Sequence, residues 1–403
     1  MPRRGRTRAA GPSSEAVGDW VVMFSSTRWQ LGAHRQHALA REIAVDRRVL
    51  FVDPPGQRPS WRMSVVQVER NLWHAVVPAA MPLGRQVPPA NLANRRCAAL
   101  LVRRWLDDRP GRRLLWIDED LAAPVAGQLG EDAVVYDATD LDWTFTRRWN
   151  RWHLRRALHA ALAAADLVLT SSSALPARMP LGDRPAVVLP NGCDPVQFGP
   201  DGPVVPWLTR PPGPVLGYVG AVDTRAFDSE LVAQMAAARP EWTFVLAGPV
   251  TRTGRTPLAG FPNIVLTGPV AFADVPSVLR GCDVAIIPYR VGALIDYVHP
   301  KKCYEYLALG KPVVATPLPA LRELDAPIRL AAGPQRFVAA VEAALPTANC
   351  PTEAARRRAA AVANSWSVRG IQLRALLTEL TRPTEPARPT EPARPTEPAR
   401  VPR

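Results

Sequence analysis

The chain has 403 residues, 47% of them hydrophobic, and a formal net charge of +14. That length and composition accommodate two ordinary domains with cores of their own, and no apolar run approaches the roughly 20 residues of a membrane-spanning helix. The arginine excess points to an anionic partner, whether nucleic acid, an anionic membrane or a phosphorylated substrate. Five cysteines (Cys97, Cys193, Cys282, Cys303, Cys350) are scattered and never spaced as C-x-x-C, which argues against a disulfide framework or a zinc site. Residues 1–18 are basic and polar without the apolar core of a signal peptide, so the expected compartment is the reducing cytoplasm.

From residue 19 the pattern alternates. Residues 20–24 are an apolar run ending in Ser25-Ser26, a strand feeding a polar loop. Residues 32–45 have helical spacing, and residues 48–53 form a second strand closed by Pro54-Pro55. Strands follow at 113–117 and 133–137, an Ala-rich helix at about 148–165, and strands at 167–170 and 186–189. Alternation without hairpin signals predicts a parallel sheet covered by helices on both faces. Residues 199–214, rich in proline and glycine, read as a linker between domains.

After the linker the alternation restarts, with strands at 215–220, 243–247, 264–266, 284–287 and 312–315 and a helix at 228–238. The organisation expected is a first domain over 19–198, a second over 215–363, a final helix over 364–380 and a tail over 381–403. Ser367 is the candidate N-cap of that helix. The tail repeats Arg-Pro-Thr-Glu-Pro-Ala and holds no large apolar side chain, so it cannot build a core.

The densest chemical signal lies between Tyr297 and Thr316. Pro300 opens a short helix, Lys302 and Glu305 sit one turn apart on it, and Gly310 closes it. A cation near a helix N-terminus suits a diphosphate, and a carboxylate on the same face suits sugar or ribose hydroxyls. The same spacing also suits an exposed ion pair.

Three segments carry a resemblance to the GT-B glycosyltransferases, family-4-like members in particular. They are Pro190-Asn-Gly-Cys-Asp194 with Phe198, Gly217-Tyr-Val-Gly-Ala221 with Asp228 and residues 241–249, and residues 283–289 with Lys302, Glu305 and 310–314. The chain resembles the subgroup linked to bacterial envelope polysaccharides of the teichuronic-acid type. The resemblance implies an α/β chain of two Rossmann-like, doubly wound domains facing a central cleft. It implies sugar transfer from a nucleoside diphosphate sugar to a glycan or lipid-linked acceptor, with retention, no metal and no bound cofactor. Residue by residue, it places Gly220, Arg225, Lys302, Tyr304 and Glu305 at the donor, with Arg225 and Lys302 facing the diphosphate. The family's other glutamate falls at Tyr297, beside Asp296, a departure on the sugar side.

In the first domain Asp140, just past a strand end, can orient or deprotonate an acceptor hydroxyl, or cap a helix. His34 and Arg35 follow the first strand and face either the acceptor or solvent. Residues 143–156 interleave Arg147, Arg148, Arg151, Arg155 and Arg156 with Trp143, Trp149 and Trp152. That mixture suits an anionic membrane surface or single-stranded nucleic acid, or an exposed basic face with the tryptophans turned inward. The donor segment makes a nucleic-acid partner unexpected. Absence of G-x-G-x-x-G after either first strand argues against a dinucleotide enzyme. A two-domain nucleotide-sugar 2-epimerase and a non-enzymatic nucleic-acid binder are the remaining alternatives.

Overall fold

The computed structural model describes residues 18–32, 34–56, 62–139, 141, 150–208, 211–292 and 295–382. Asp140, the stretch from Trp143 to Trp149 with Arg147 and Arg148, residues 1–17 and the repeat tail from 383 lie outside the described residues.

The first domain is built on one sheet of β1 (Trp20–Phe24), β2 (Arg48–Val52), β3 (Ser64–Glu69), β4 (Leu72–Val76), β5 (Arg113–Ile117), β6 (Ala133–Ala138), β7 (Leu167–Thr170) and β8 (Val187–Val188). Their order is β3-β4-β2-β1-β5-β6-β7-β8. Every pair is parallel except β3 with β4. The antiparallel β3–β4 hairpin corrects the expectation of a sheet without hairpins. Its turn is made by Asn71, which takes a left-handed φ of 60°. That is a residue type that tolerates this conformation, but outside the Asn-Gly pair that flags a hairpin in sequence.

Alternate residues of these strands feed two cores. Trp20, Val22, Phe24, Leu115 and Ile117 belong to one, Val21, Met23, Leu114 and Trp116 to the other. This is the period-two alternation of a sheet buried on both faces. The helices of this domain are α1 (Arg35–Ile43), α2 (Pro88–Asp107) and α3 (Arg151–Ala164). Buried Leu39 and Ile43 of α1 lie in the second core, and Ala98 and Val102 of α2 with Leu158 and Leu162 of α3 lie in the first. Helix α2 is not among the elements expected above, although Ala90, Asn94, Ala98, Val102 and Leu106 form a buried stripe at helical spacing.

The second domain carries β9 (Val215–Val219), β10 (Thr243–Ala247), β11 (Ile264–Gly268), β12 (Val284–Ile287), β13 (Val313–Ala315) and β14 (Ile328–Leu330). They form an all-parallel sheet ordered β11-β10-β9-β12-β13-β14. Its helices are α4 (Ser229–Ala238), α5 (Arg252–Arg255), α6 (Val275–Arg280), α7 (Lys302–Ala308), α8 (Pro319–Arg322), α9 (Pro334–Ala344) and α10 (Pro351–Ala363). Asp228 caps α4, accepting from the Leu231 amide at 3.1 Å. In both sheets the strand order reverses beside the first strand, between β1 and β5 and between β9 and β12, and ligands of doubly wound sheets bind beyond the strand ends there.

The last helix, α11 (Trp366–Leu380), leaves the second domain and packs on the first. Its Leu373 and Leu377 are buried in the core formed by Val21, Met23, Leu39, Ile43 and Trp116. Its N-cap is Ser365, whose hydroxyl faces the Val368 amide, two residues before the expected Ser367. Arg374 donates to the Glu42 carbonyl at 2.7 Å and Arg47 to the Thr378 hydroxyl at 2.7 Å. Truncating Leu373 to alanine leaves a cavity between the two ends of the chain, and should cost about 2–5 kcal/mol of stability. Denaturant unfolding of the Leu373→Ala protein measures it, and an unchanged midpoint would mean that α11 does not hold the first domain.

Candidate functional site

The β1–β5 switch point opens onto a groove between the domains. On the first-domain side the loop after β1 is fixed by carboxylates at the ends of neighbouring strands. The Ser26 amide donates to Asp118, after β5, at 2.5 Å, and the Trp29 amide donates to Asp53, after β2, at 2.9 Å. Behind this loop Arg35 makes a bidentate bond to Asp137, both at 2.9 Å, with both side chains buried. Its remaining nitrogen donates to Asn191 at 3.3 Å.

Asn191, of the Pro190-Asn-Gly segment, donates in turn to the His299 carbonyl of the second domain at 2.8 Å. The next residue, Gly192, touches the returning chain so closely that a Cβ there would lie 2.9 Å from the Trp366 nitrogen. The Trp366 amide donates to the Cys193 carbonyl at 2.9 Å. Phe198 then enters the second domain's core and meets Phe272 edge to face. The whole segment is therefore the junction of the two domains and α11.

A cavity of about 300 Å³ lies in the groove, lined by Ser26, His34, Arg35, Asp118, Asp137, Thr139, His299 and Lys301 among others. A second, of about 310 Å³, adjoins it through His34 and Lys301 and is lined also by Arg41, Phe198, Phe272, Glu305 and Trp366. Both histidines of the first cavity have depressed pKa values and are neutral at pH 7. Burial followed by the charge of Lys301 lowers His34, and burial followed by Arg35 and Arg369 lowers His299 to about 4. Asp118 moves the other way. Burial pushes its carboxyl up to about 7, against the opposing bonds from Ser26 and with added repulsion from Asp137 and Glu119. Its Oδ2 is buried without a hydrogen-bond partner.

On the second-domain side α7 is a seven-residue helix. Lys302 extends over the rings of Tyr218 and Tyr289, its ammonium donating to the Tyr289 hydroxyl at 2.6 Å and to Tyr218 at 3.3 Å. Burial, then the neighbouring Tyr289, raises the Tyr218 phenol well above its usual range, so it stays neutral beside the cation. Gly220 ends β9 with φ of 150°, and a Cβ there would come within 2.6 Å of the Lys302 nitrogen. The backbone beyond β9 and the lysine charge thus meet directly, which no residue but glycine permits. Glu305 is buried, pairs with Lys301 at 3.0 Å and faces the second cavity.

The sequence candidates divide accordingly. Gly220 and Lys302 come together, and Glu305 and His34 line one cavity. Arg225 stands exposed on the loop after β9, its amide bound to Asp223. Tyr304 is completely buried, its hydroxyl 3.4 Å from His299, so it has no surface for a donor and supports the histidine instead. Tyr297, in the place of the resemblance's other glutamate, is 1% exposed and sits in the first domain's core, its carbonyl accepting from Ser172 at 2.6 Å. Asp296 binds the Gly292 amide at 3.2 Å.

Asp118, Lys301 and His299 were not found in the sequence. The signal for Asp118 was present: it is the first residue past the apolar strand expected at 113–117. Asp118-Glu-Asp120 also has the spacing of a carboxylate pair that can hold a diphosphate-bound cation. In the fold its side chains part company: Asp118 takes the Ser26 amide, Glu119 takes Arg85 and Arg95, and Asp120 accepts from the Tyr136 hydroxyl at 2.5 Å. Among the described residues no group of three or more His, Cys, Asp or Glu side chains is placed to hold a metal ion.

Comparison with known proteins agrees with this architecture. Residues 213–346 match the family model described as "Glycosyl transferases group 1". The chain is 28% identical over 260 residues to the putative teichuronic acid biosynthesis glycosyltransferase TuaH of Bacillus subtilis (strain 168), covering 59% of this chain and 64% of that protein's length. Among solved structures, sucrose-phosphate synthase of Thermosynechococcus elongatus superposes with a TM-score of 0.71 at 15% identity, covering 90% of this chain and 99% of that one. Anabaena Alr3699/HepE in complex with UDP and glucose superposes with a TM-score of 0.61 at 16% identity, covering 90% and 99%. The two-domain architecture is therefore the GT-B fold.

Asp118 has a testable pH signature. Its folded-state pKa, about 7, lies above the 3.8 of an ordinary aspartate. Folding therefore takes up a proton between those values, and the stability it contributes is whole at the acid end and lost as pH rises through about 7. Asp118→Asn, which stays uncharged, should gain melting temperature relative to the parent between about pH 5 and about pH 8. A difference that stays constant over that range would show that the carboxyl is already ionised at the lower pH.

Proposed function

We propose that this chain, which has the GT-B fold and a second domain of the group 1 glycosyl transferases, moves a sugar from a nucleoside diphosphate sugar to a hydroxyl of a glycan or lipid-linked acceptor. The observation that carries the reading is the meeting of Lys302, Gly220 and the two tyrosines at the β9–β12 switch point. A fixed cation beside exposed backbone is what a diphosphate requires. Glu305, one turn further along α7, offers hydrogen-bond acceptors to ribose or sugar hydroxyls. The solved relative named with UDP and glucose has the same fold.

In this reading the sugar lies in the groove between Lys302 and the Asp118 cavity, and is transferred with retention. The bond from the anomeric carbon to the diphosphate breaks as the bond to the acceptor oxygen forms, and the acceptor proton passes to the departing phosphate oxygen. Lys302, with Arg225 swung in from its loop, stabilises the charge that develops on that oxygen, an interaction stronger in the transition state than before it. No carboxylate nucleophile takes part and no metal or bound cofactor is invoked. Asp118 and the neutral His34 hold the acceptor, and Asp140, the residue after the lining Thr139, is the acceptor-side candidate from the sequence.

Lys302→Ala should lower turnover by about a hundredfold or more, the scale for losing one such electrostatic contact. Glu305→Gln should raise the apparent KM for the nucleotide sugar. Transfer assays on folded variants, with a panel of nucleotide sugars first ranked by thermal protection, test both. Near-normal turnover in Lys302→Ala would remove the donor site from this helix.

The membrane part of the reading rests on α3. No helix among the described residues is long and apolar enough to cross a bilayer. Trp152 is nevertheless 65% exposed, flanked by exposed Arg151, Arg155 and Arg156. An exposed tryptophan among arginines suits the headgroup region of an anionic inner leaflet, at about 1 kcal/mol per arginine near the surface. Sedimentation with anionic vesicles should be lost on changing these three arginines to glutamine, and weakened by salt in the parent. A parent protein that stays in the supernatant at low salt would make this face a solvated one.

A further inference from the structure

Three stretches of chain meet at Lys302. Its ammonium donates to the Tyr289 hydroxyl, on the loop after β12, at 2.6 Å and to the Tyr218 hydroxyl, on β9, at 3.3 Å. It also lies 4.5 Å from the centre of the Tyr218 ring and 4.8 Å from that of Tyr289. Tyr218 passes the contact on, its own hydroxyl donating to the Ala221 carbonyl, on the loop after β9, at 3.0 Å. That loop and the one after β12 are themselves joined. Phe227 and Tyr289 form an antiparallel bridge, the Asp228 amide donates to the Pro288 carbonyl at 2.8 Å, and the Arg290 amide donates to the Ala226 carbonyl at 2.7 Å.

A lysine alone makes a poor fixed charge. Its four-carbon stem samples many rotamers, and holding the ammonium in one place for an anion costs that freedom. Where the protein fixes the side chain beforehand, the cost falls on folding and not on binding. Hydroxyl oxygens and ring faces are suited to this, because both attract a cation without the formal charge of a carboxylate. Both rings are packed in the second domain's core, so they are firm supports. The nitrogen they hold stands so near Gly220 that a Cβ there would lie 2.6 Å from it. The charge is thereby kept at one point beside the backbone that ends β9.

We propose that Tyr289 and Tyr218 are positioning residues for the donor's diphosphate: they hold Lys302 against the end of β9 before the nucleotide sugar arrives, so that the anion meets a cation already in place. This rests on the reading of Lys302 given above. Tyr289 is the closer holder, and Tyr218 couples the lysine to the loop that bears Arg225.

Titration calorimetry of the full chain with UDP, GDP and ADP tests the role. Tyr289→Phe keeps the ring and removes only the hydroxyl, and it should weaken the tightest-bound nucleotide about fivefold or more. The deciding comparison repeats the substitution in Lys302→Ala, which has no ammonium to hold. There Tyr289→Phe should change binding by less than about twofold. A residue that merely supports the fold would cost the same in both backgrounds. Tyr218→Phe should repeat the pattern, and it decides alone if circular dichroism shows Tyr289→Phe to be unfolded. Parent-like binding by either phenylalanine variant, or equal losses with and without Lys302, would overturn the positioning role. If Lys302→Ala binds as the parent does, or none of the three nucleotides binds the parent, the donor reading of α7 falls and this role with it. A loss in Lys302→Ala that neither tyrosine variant shares removes the positioning role and leaves the donor reading standing.

Discussion

The buried pair between Arg35 and Asp137 is the constraint on which the rest of this molecule hangs. A charge pair removed from water is tolerated where its geometry is good and its other hydrogen bonds are met. Here the bond is bidentate, and the spare guanidinium nitrogen finds Asn191. Asn191 is committed on its other side to the second domain through His299, and His299 touches Tyr304 on α7. One run of polar contacts thus ties the end of β6, the start of α1, the interdomain segment and the helix that bears Lys302 and Glu305. Apolar packing reinforces it from both directions. Tyr297 reaches into the first domain's core, and α11 brings the end of the chain back to the same domain.

This arrangement separates rigid support from groups that remain addressable. Asp137 and Arg35 neutralise each other, and Tyr304 is sealed in. Asp118 keeps one oxygen unpartnered and a pKa near neutrality, because burial disfavours its charge and only Ser26 answers it. Lys302 is held by the hydroxyls of Tyr289 and Tyr218, and among the described residues no carboxylate is a hydrogen-bond partner of it. The first-domain wall of the groove thus carries a carboxyl that can change state.

Much of the fold was legible in the sequence. The apolar runs at 20–24, 113–117, 215–219 and 284–287 are each short, continuous and bounded by turn residues, and each is a central strand. Parallel strands buried on both faces have no other way to appear. The β3–β4 hairpin was not legible, because Val66 and Val68 on the sheet's edge are exposed and their turn lacks the usual dipeptide. The helix of residues 88–107 was legible by its stripe and was overlooked. Among the site candidates, Lys302 and Glu305 were legible together because both lie on one short helix, whereas the meeting of Lys302 with Gly220, far away in the chain, is made by the fold.

The sequence by itself determined the alternation of strands and helices, the two-domain division and the cation-bearing helix. These follow from local periodicity and from residue types that act within a few positions of themselves. Only the tertiary structure decided which charged groups are spent and which are available. Asp137 and Asp118 look alike in sequence, each the polar residue at an apolar strand's end. One faces a guanidinium 102 positions away and the other the uncharged Ser26, 92 positions away. Coulomb attraction and desolvation depend on the neighbours in space, and nothing local to either aspartate specifies them.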